Sequence, residues 1–312
     1  MKQILFTLLI LSAIGFTSCR KSSSNDMDIK AYDKQQILNY MSANGITGMV
    51  RDTVGGDTSG IYYQVINPGD PTKQIDYPDA ISFVYAIKSF DNKFVADDTV
   101  ANHYYGYAGH ITPNGLMIGI HNDLKYKGAK VRFLIPSHLA YGTNGAGSGS
   151  KTITTGRIAG NQCLDYTVNL INNQQLYDDM VINNYMAANA LTGYIKTEST
   201  VMPGNYYYYK ITTPGTGTAK IDYNSSIYAQ YNGRLLNGQV FDSNVTAAGA
   251  LLQAPDLTTG AFETLEHATV GTVISVIIPS TLAFGTVGGS AAVVIPANAC
   301  VRFEFTVISV TP

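Results

Sequence analysis

The chain opens on Lys2 and an apolar run from Ile4 to Leu11, followed by small and turn-prone residues up to Cys19. This pattern predicts an export signal, too short to span a bilayer comfortably, and no later apolar run is long enough to cross one. From Tyr32 the pattern changes to polar–apolar spacing near 3.6, with Ile37 and Met41 on one face, which predicts a helix. A β-rich segment follows, Tyr62-Tyr63-Gln64-Val65-Ile66, closed by a Pro68-Gly69 turn. The same order then returns. Tyr185 and Ala188 mark a helical face, and Tyr206 to Ile211 reads as a strand closed by Pro214-Gly215. Near the end, Val301, Phe303 and Phe305 alternate with Arg302, Glu304 and Thr306, as a strand with one buried face requires. Helical leaders followed by runs of strands predict an α+β fold with antiparallel sheets.

The recurrence is a duplication. YDKQQILNYMSANGITG from Tyr32 returns as YDDMVINNYMAANALTG from Tyr177, an offset of 145. Ile75-Asp76-Tyr77 returns as Ile221-Asp222-Tyr223, and LIPSHLAYG from Leu134 as IIPSTLAFG from Ile277. Asn161-Gln162-Cys163 returns as Asn298-Ala299-Cys300. A unit of about 140 residues is domain-sized and not a solenoid period. The organisation expected is a signal over 1–19, a flexible tether over 20–30, a first domain over 31–172 and a second over 173–312. The first copy carries a longer loop, GTNGAGSGSKTITTGRIAG, where the second is shorter. Cys163 and Cys300 occupy equivalent positions, so each is expected to pack in its own domain as a small hydrophobe rather than form a bond between copies.

Composition narrows the function. Hydrophobic residues make up 45% of the 312 and charged residues 13%, as in a globular protein. The net charge of -2 gives no electrostatic case for binding nucleic acid. Small residues before Cys19, in Phe16-Thr17-Ser18-Cys19, resemble a lipoprotein signal site, with lipidation at Cys19. The alternative is an ordinary signal peptide with a coincidental cysteine. Arg20 to Asp26 reads as a polar tether. The expected location is lipid-anchored to the outer membrane, facing the periplasm or the cell surface.

The second copy contains YNGRLLNGQVFDSN from Tyr231, IIPSTLAFG from Ile277 and VIPANACVRFEFTVISV from Val294. Together these resemble the FKBP family of peptidyl-prolyl cis-trans isomerases over about 220–310, and more weakly over 74–171. The resemblance implies two tandem domains, each a curved antiparallel sheet wrapped on a short helix, with a helical leader before it. It implies a cofactor-free isomerase, or foldase, acting on proline-containing polypeptide clients outside the cytoplasm. Carried over residue by residue, Tyr231, Phe241, Asp242, Ile295 and Phe303 form the catalytic pocket. Leu257, Thr258, Phe262, Phe284 and Val294 are the substrate-binding residues. The family's aromatic floor aligns with Ala261, and its Leu-Ala-Tyr-Gly tyrosine with Phe284. These departures support an alternative, a non-catalytic peptide-binding chaperone.

In the first copy, Tyr85, Tyr141, Ile158 and Tyr166 match the pocket, but Val95-Ala96 stands where Phe-Asp is expected, and Met117, Ile118 and Ile120 offer no aromatic floor. This copy resembles a binding or structural relative. GAGSGSKT from Gly145 misses a phosphate-binding loop, because Ser150 stands where glycine must precede Lys151. His103, His110, His121, His138 and His267 show no metal-ligand spacing, so no metal is expected.

Overall fold

The computed structural model describes residues 28–148 and 156–312. The signal region with Cys19, the tether before Asp28 and the Lys151 segment therefore lie outside the described residues. None of the described helices is long and apolar enough to cross a membrane.

Helix α1 (Ile29–Ala43) presents Asp33, Ile37 and Tyr40 as its buried residues. The spacing of four and then three places all three on one stripe. Strands β1 (Val50–Arg51), β2 (Tyr62–Asn67), β3 (Ala80–Ser89), β4 (Val95–Ala96), β5 (His103–Tyr107), β6 (Lys130–Ile135) and β7 (Leu164–Leu170) form one antiparallel sheet. Its order is β1-β2-β6-β7-β3-β4, with β5 also on β3. Between β5 and β6 lies a short helix, α2 (Asn114–Gly119).

The second half repeats this plan. Helix α3 (Gln174–Ala188) is capped by Asn173, whose side chain accepts from the Leu176 N–H, and it buries Asp178 and Ile182. Strands β8 (Ile195–Glu198), β9 (Tyr206–Thr213), β10 (Ser226–Leu235), β11 (Val240–Asn244), β12 (Ala250–Leu252), β13 (Val273–Ile278) and β16 (Val301–Thr311) form the second seven-stranded sheet. A two-stranded hairpin, β14 (Gly289–Ser290) with β15 (Val294–Ile295), and a short helix, α4 (Thr259–Leu265), complete it. The expected face of α3 is partly corrected. Tyr185 packs inward, but Ala188 is exposed, and Met186 and Leu191 take that contact.

Each sheet is covered on both faces, and the alternation along its central strand shows how. In β6, Val131, Phe133 and Ile135 enter the main core while Leu134 joins Ile37, Tyr40, Tyr62 and Cys163 under α1. In β13, Ile274, Val276 and Ile278 enter the main core while Ile277 joins Ile182, Tyr208 and Cys300 under α3. Two covered faces explain why VRFLI and VISVII lack a polar alternate position on most of their length. Both cysteines are buried free thiols, and burial pushes both up from the usual thiol range.

The leaders are pinned by a repeated buried carboxylate. Asp33 accepts from the Ser137 hydroxyl at 2.7 Å and the His138 N–H at 3.1 Å. Asp178 accepts from the Ser280 hydroxyl at 2.6 Å and the Ser280 N–H at 2.8 Å. Each carboxylate thereby ties a leader helix to the Ile-Pro-Ser turn that leaves the central strand of its sheet.

Candidate functional site

The site of the second half grows from a tight crossing of β10, β11 and β16. Gly233 pairs with Phe303 on one side and with Asp242 on the other. A Cβ at Gly233 would lie 2.5 Å from Phe303 Cε1 and 2.7 Å from Phe241 Cε2. The absence of a side chain is what lets both rings lean over the strand. Phe241 then meets Phe303 edge to face at 5.4 Å between centroids, and Phe284 likewise at 5.7 Å. Phe303 stacks on Phe305 at 5.4 Å. Such edge-to-face pairs fix ring orientation beyond what area burial alone supplies.

These rings wall a cavity of about 310 Å³. Tyr231, Phe241, Asp242, Leu257, Thr258, Ala261, Phe284, Ile295 and Phe303 line it, with Leu252, Asp256, Phe305 and the hairpin residues Gly289 to Ala291. The Ala292 N–H donates to the Phe241 carbonyl at 3.0 Å, so the hairpin is fastened across the mouth to β11. Ala261, on α4, forms part of the floor and leaves it without an aromatic ring.

One polar pair faces this apolar space. The Tyr231 hydroxyl donates to Asp242 Oδ2 at 2.9 Å. Burial, with the Asp242 hydrogen bond and charge behind it, pushes the Tyr231 hydroxyl up to about 12, so it stays a donor at neutral pH.

Eight of the ten pocket residues expected from sequence come together here, and two do not. Val294 is 73% exposed, because strand alternation that turns Ile295 inward turns its neighbour out. Phe262 sits one helical step from Ala261 and packs beside Tyr223 instead, with centroids at 6.1 Å. Leu252, Asp256 and Phe305 were missed. Phe305 was legible, since it stands in the inward phase of β16, two residues after Phe303.

Residues 217–308 match the family of FKBP-type peptidyl-prolyl cis-trans isomerases. That matched segment contains the whole cavity lining, from Tyr231 to Phe305. None of the curated proteins matches the chain. Among solved structures, the three FKBP domains of wheat FKBP73 align over 85% of this chain and 99% of theirs, at 16% identity and a TM-score of 0.34. FkpA from Escherichia coli aligns over 44% of this chain and 61% of its own, at 23% identity and a TM-score of 0.36. A peptidyl-prolyl cis-trans isomerase from Pseudomonas syringae aligns over 44% of this chain and 96% of its own, also at 23% and 0.36.

The first half differs from the matched segment at the position of the aromatic wall. Ile87 pairs with Tyr166 as Gly233 pairs with Phe303, and Ile87 pairs with Ala96 as Gly233 pairs with Asp242. A buried isoleucine therefore stands in register where the second half has Gly233. Val95 points into solvent, and Tyr85 and Tyr166 pack at 6.1 Å. Burial pushes the hydroxyls of both tyrosines up.

Proposed function

We propose that residues 217–308 carry a peptidyl-prolyl cis-trans isomerase site, on a lipid-anchored protein that acts on proline-containing polypeptides outside the cytoplasm. The observation that carries this reading is the aromatic cavity of about 310 Å³, with Asp242 held by Tyr231 at its edge, inside the matched segment. Rotation about a peptide bond meets a barrier of ~18–20 kcal/mol because the planar amide is resonance-stabilised. The planar form is also the more polar, so water favours it. An apolar cavity withdraws that solvation, and each ~1.4 kcal/mol of preference for the twisted amide gives about tenfold in rate. Phe241, Phe303 and Ile295 supply the apolar walls. The Asp242 carboxylate, steadied by Tyr231, polarises the edge where the twisted amide lies. This chemistry needs no nucleophile, metal or cofactor.

The test is prolyl-peptide isomerisation by the full mature chain. Asp242→Ala is expected to lower kcat/KM roughly tenfold, the scale of one hydrogen bond to a charged group. Phe284→Tyr, which restores a hydroxyl, should raise it about twofold to tenfold. Turnover indifferent to Asp242→Ala would place the reaction elsewhere. A second reading, a peptide-binding chaperone without turnover, is favoured by Ala261 and Phe284, and predicts peptide binding with no isomerisation in any variant. The anchor is tested separately: Cys19→Ala should shift the protein from the membrane to the soluble fraction, and unchanged membrane retention would remove Cys19 from that role.

A further inference from the structure

The cavity is supported from behind by two loops of the second half. One is the Ile-Pro-Ser-Thr-Leu-Ala-Phe segment that ends in Phe284. The other is the turn after Ile295, in which Asn298 adopts φ of 58°. The Asn298 N–H donates to the Gly285 carbonyl at 2.8 Å, which joins the two loops directly. A second connection between them runs through the first half of the chain. The Asn298 side-chain amide donates to the Ser82 hydroxyl at 3.0 Å. Ser82 donates to Gln174 Oε1 at 3.1 Å. Gln174 Nε2 donates to Asp178 Oδ1 at 2.7 Å. Asp178 Oδ2 accepts from the Ser280 N–H and hydroxyl at 2.8 and 2.6 Å.

Asn298, Ser82 and Gln174 each donate to the next member and Asp178 accepts from both sides, so the hydrogen bonds close a ring between the two loops. Ser82, on β3, is the one member from the first sheet. Its neighbours reinforce the contact. Val100 packs on both hydrophobic clusters of the second half, and Asn237 donates to Asp98 at 2.6 Å. The first half has an equivalent buried Asp33–Ser137 pair, but none of the hydrogen bonds that Asp33 receives comes from the second half.

We propose that Ser82 is a positioning residue for the cavity of the second half: the first half, with Ile87 where the second has Gly233, acts as a built-in buttress that fixes the Phe284 and Ile295 loops through Ser82. This inference rests on the isomerase reading of the cavity for its kinetic consequence, but not for its structural one. A fixed cavity binds the twisted amide better than the planar one, so loosening the ring lowers kcat more than it raises KM.

The experiment uses the full chain with Ser82→Ala and Ser82→Thr. Ser82→Ala should lower kcat about threefold to tenfold with KM little changed, the scale of one net hydrogen bond. Ser82→Thr keeps the hydroxyl and should restore it. In parallel, amide hydrogen exchange at Ser280 and Asn298 should accelerate together in Ser82→Ala and return in Ser82→Thr. If wild type shows no turnover, the isomerase reading fails, and the exchange measurement alone decides the buttress. Unchanged exchange at both amides overturns the proposal, as does a kcat loss that Ser82→Thr does not rescue.

Discussion

Gly233 decides whether a wall of aromatic rings can exist beside β10. With a Cβ there, 2.5 Å from Phe303 and 2.7 Å from Phe241, one or both rings must turn away. Overpacking of this kind costs about 1–3 kcal/mol. Gly233→Ala is therefore expected to destabilise the protein by about that amount, measured by denaturant unfolding, and to abolish peptide binding in the cavity. A variant that binds as wild type would show that the rings do not need the gap. The same position marks the contrast with the first half: a buried isoleucine, Ile87, stands in Gly233's place in the strand register. The contrast was open to reading, because Tyr85-Ala86-Ile87 aligns with Tyr231-Asn232-Gly233. Its meaning was not, because which neighbours converge on a strand position depends on the pairing of three strands.

At the scale of elements, the leaders belong to the sheets they precede. Asp33 and Asp178 are each 1% exposed, and each accepts hydrogen bonds from the turn beyond the central strand. Removing such an acceptor strands buried donors, at about 1–3 kcal/mol. Asp178→Ala should lower the unfolding midpoint of the second half accordingly. Burial raises the Asp178 carboxyl above its ordinary range, although the Ser280 and Gln174 hydrogen bonds oppose the rise. A carboxyl raised in the folded state holds a proton that the unfolded chain has released. Stability therefore falls as pH climbs from the ordinary carboxylate value, about 4, through the raised folded value. Asp178→Asn should flatten that slope, and a slope unchanged in the variant would assign it to another group. The leader helices and the offset of 145 between them were legible in sequence, but of the residues named for their faces only Ile37 is fully buried, and the carboxylates Asp33 and Asp178 were not read as buried. The helix and strand segments followed from periodicity for the same reason: local pattern and burial agree there. Phe262 and Val294 failed because alignment carries residue type but not the phase of a helix or hairpin. Ser82 was not legible at all, because nothing local to β3 marks a hydroxyl that meets Asn298, 216 residues away.

The whole molecule joins two sheets by a small, specific contact. Val100 enters the edge of the second core, and single hydrogen bonds from Asn237 and Asn298 flank it. Each half also has its own main core and its own leader cluster. A body built this way should come apart into one folded half and one that is folded but weakened. Residues 173–312 alone are accordingly expected to unfold in a single cooperative transition, because every strand of the second sheet and α3 lie within them. That transition should lie a few degrees below the corresponding one in the full chain, since burial of Val100 is worth about 1–2 kcal/mol and a domain of this size shifts by a few degrees per kcal/mol. Val100→Asp in the full chain should lower the second half's midpoint by a similar amount while leaving the first half's unfolding where it was, because Val100 packs on the second half's clusters from the turn before β5 and on neither cluster of the first half. Calorimetry of the three proteins separates the outcomes. A fragment that does not fold would make the halves one cooperative unit. A fragment as stable as its counterpart in the full chain, with Val100→Asp silent, would mean that the contact adds no stability.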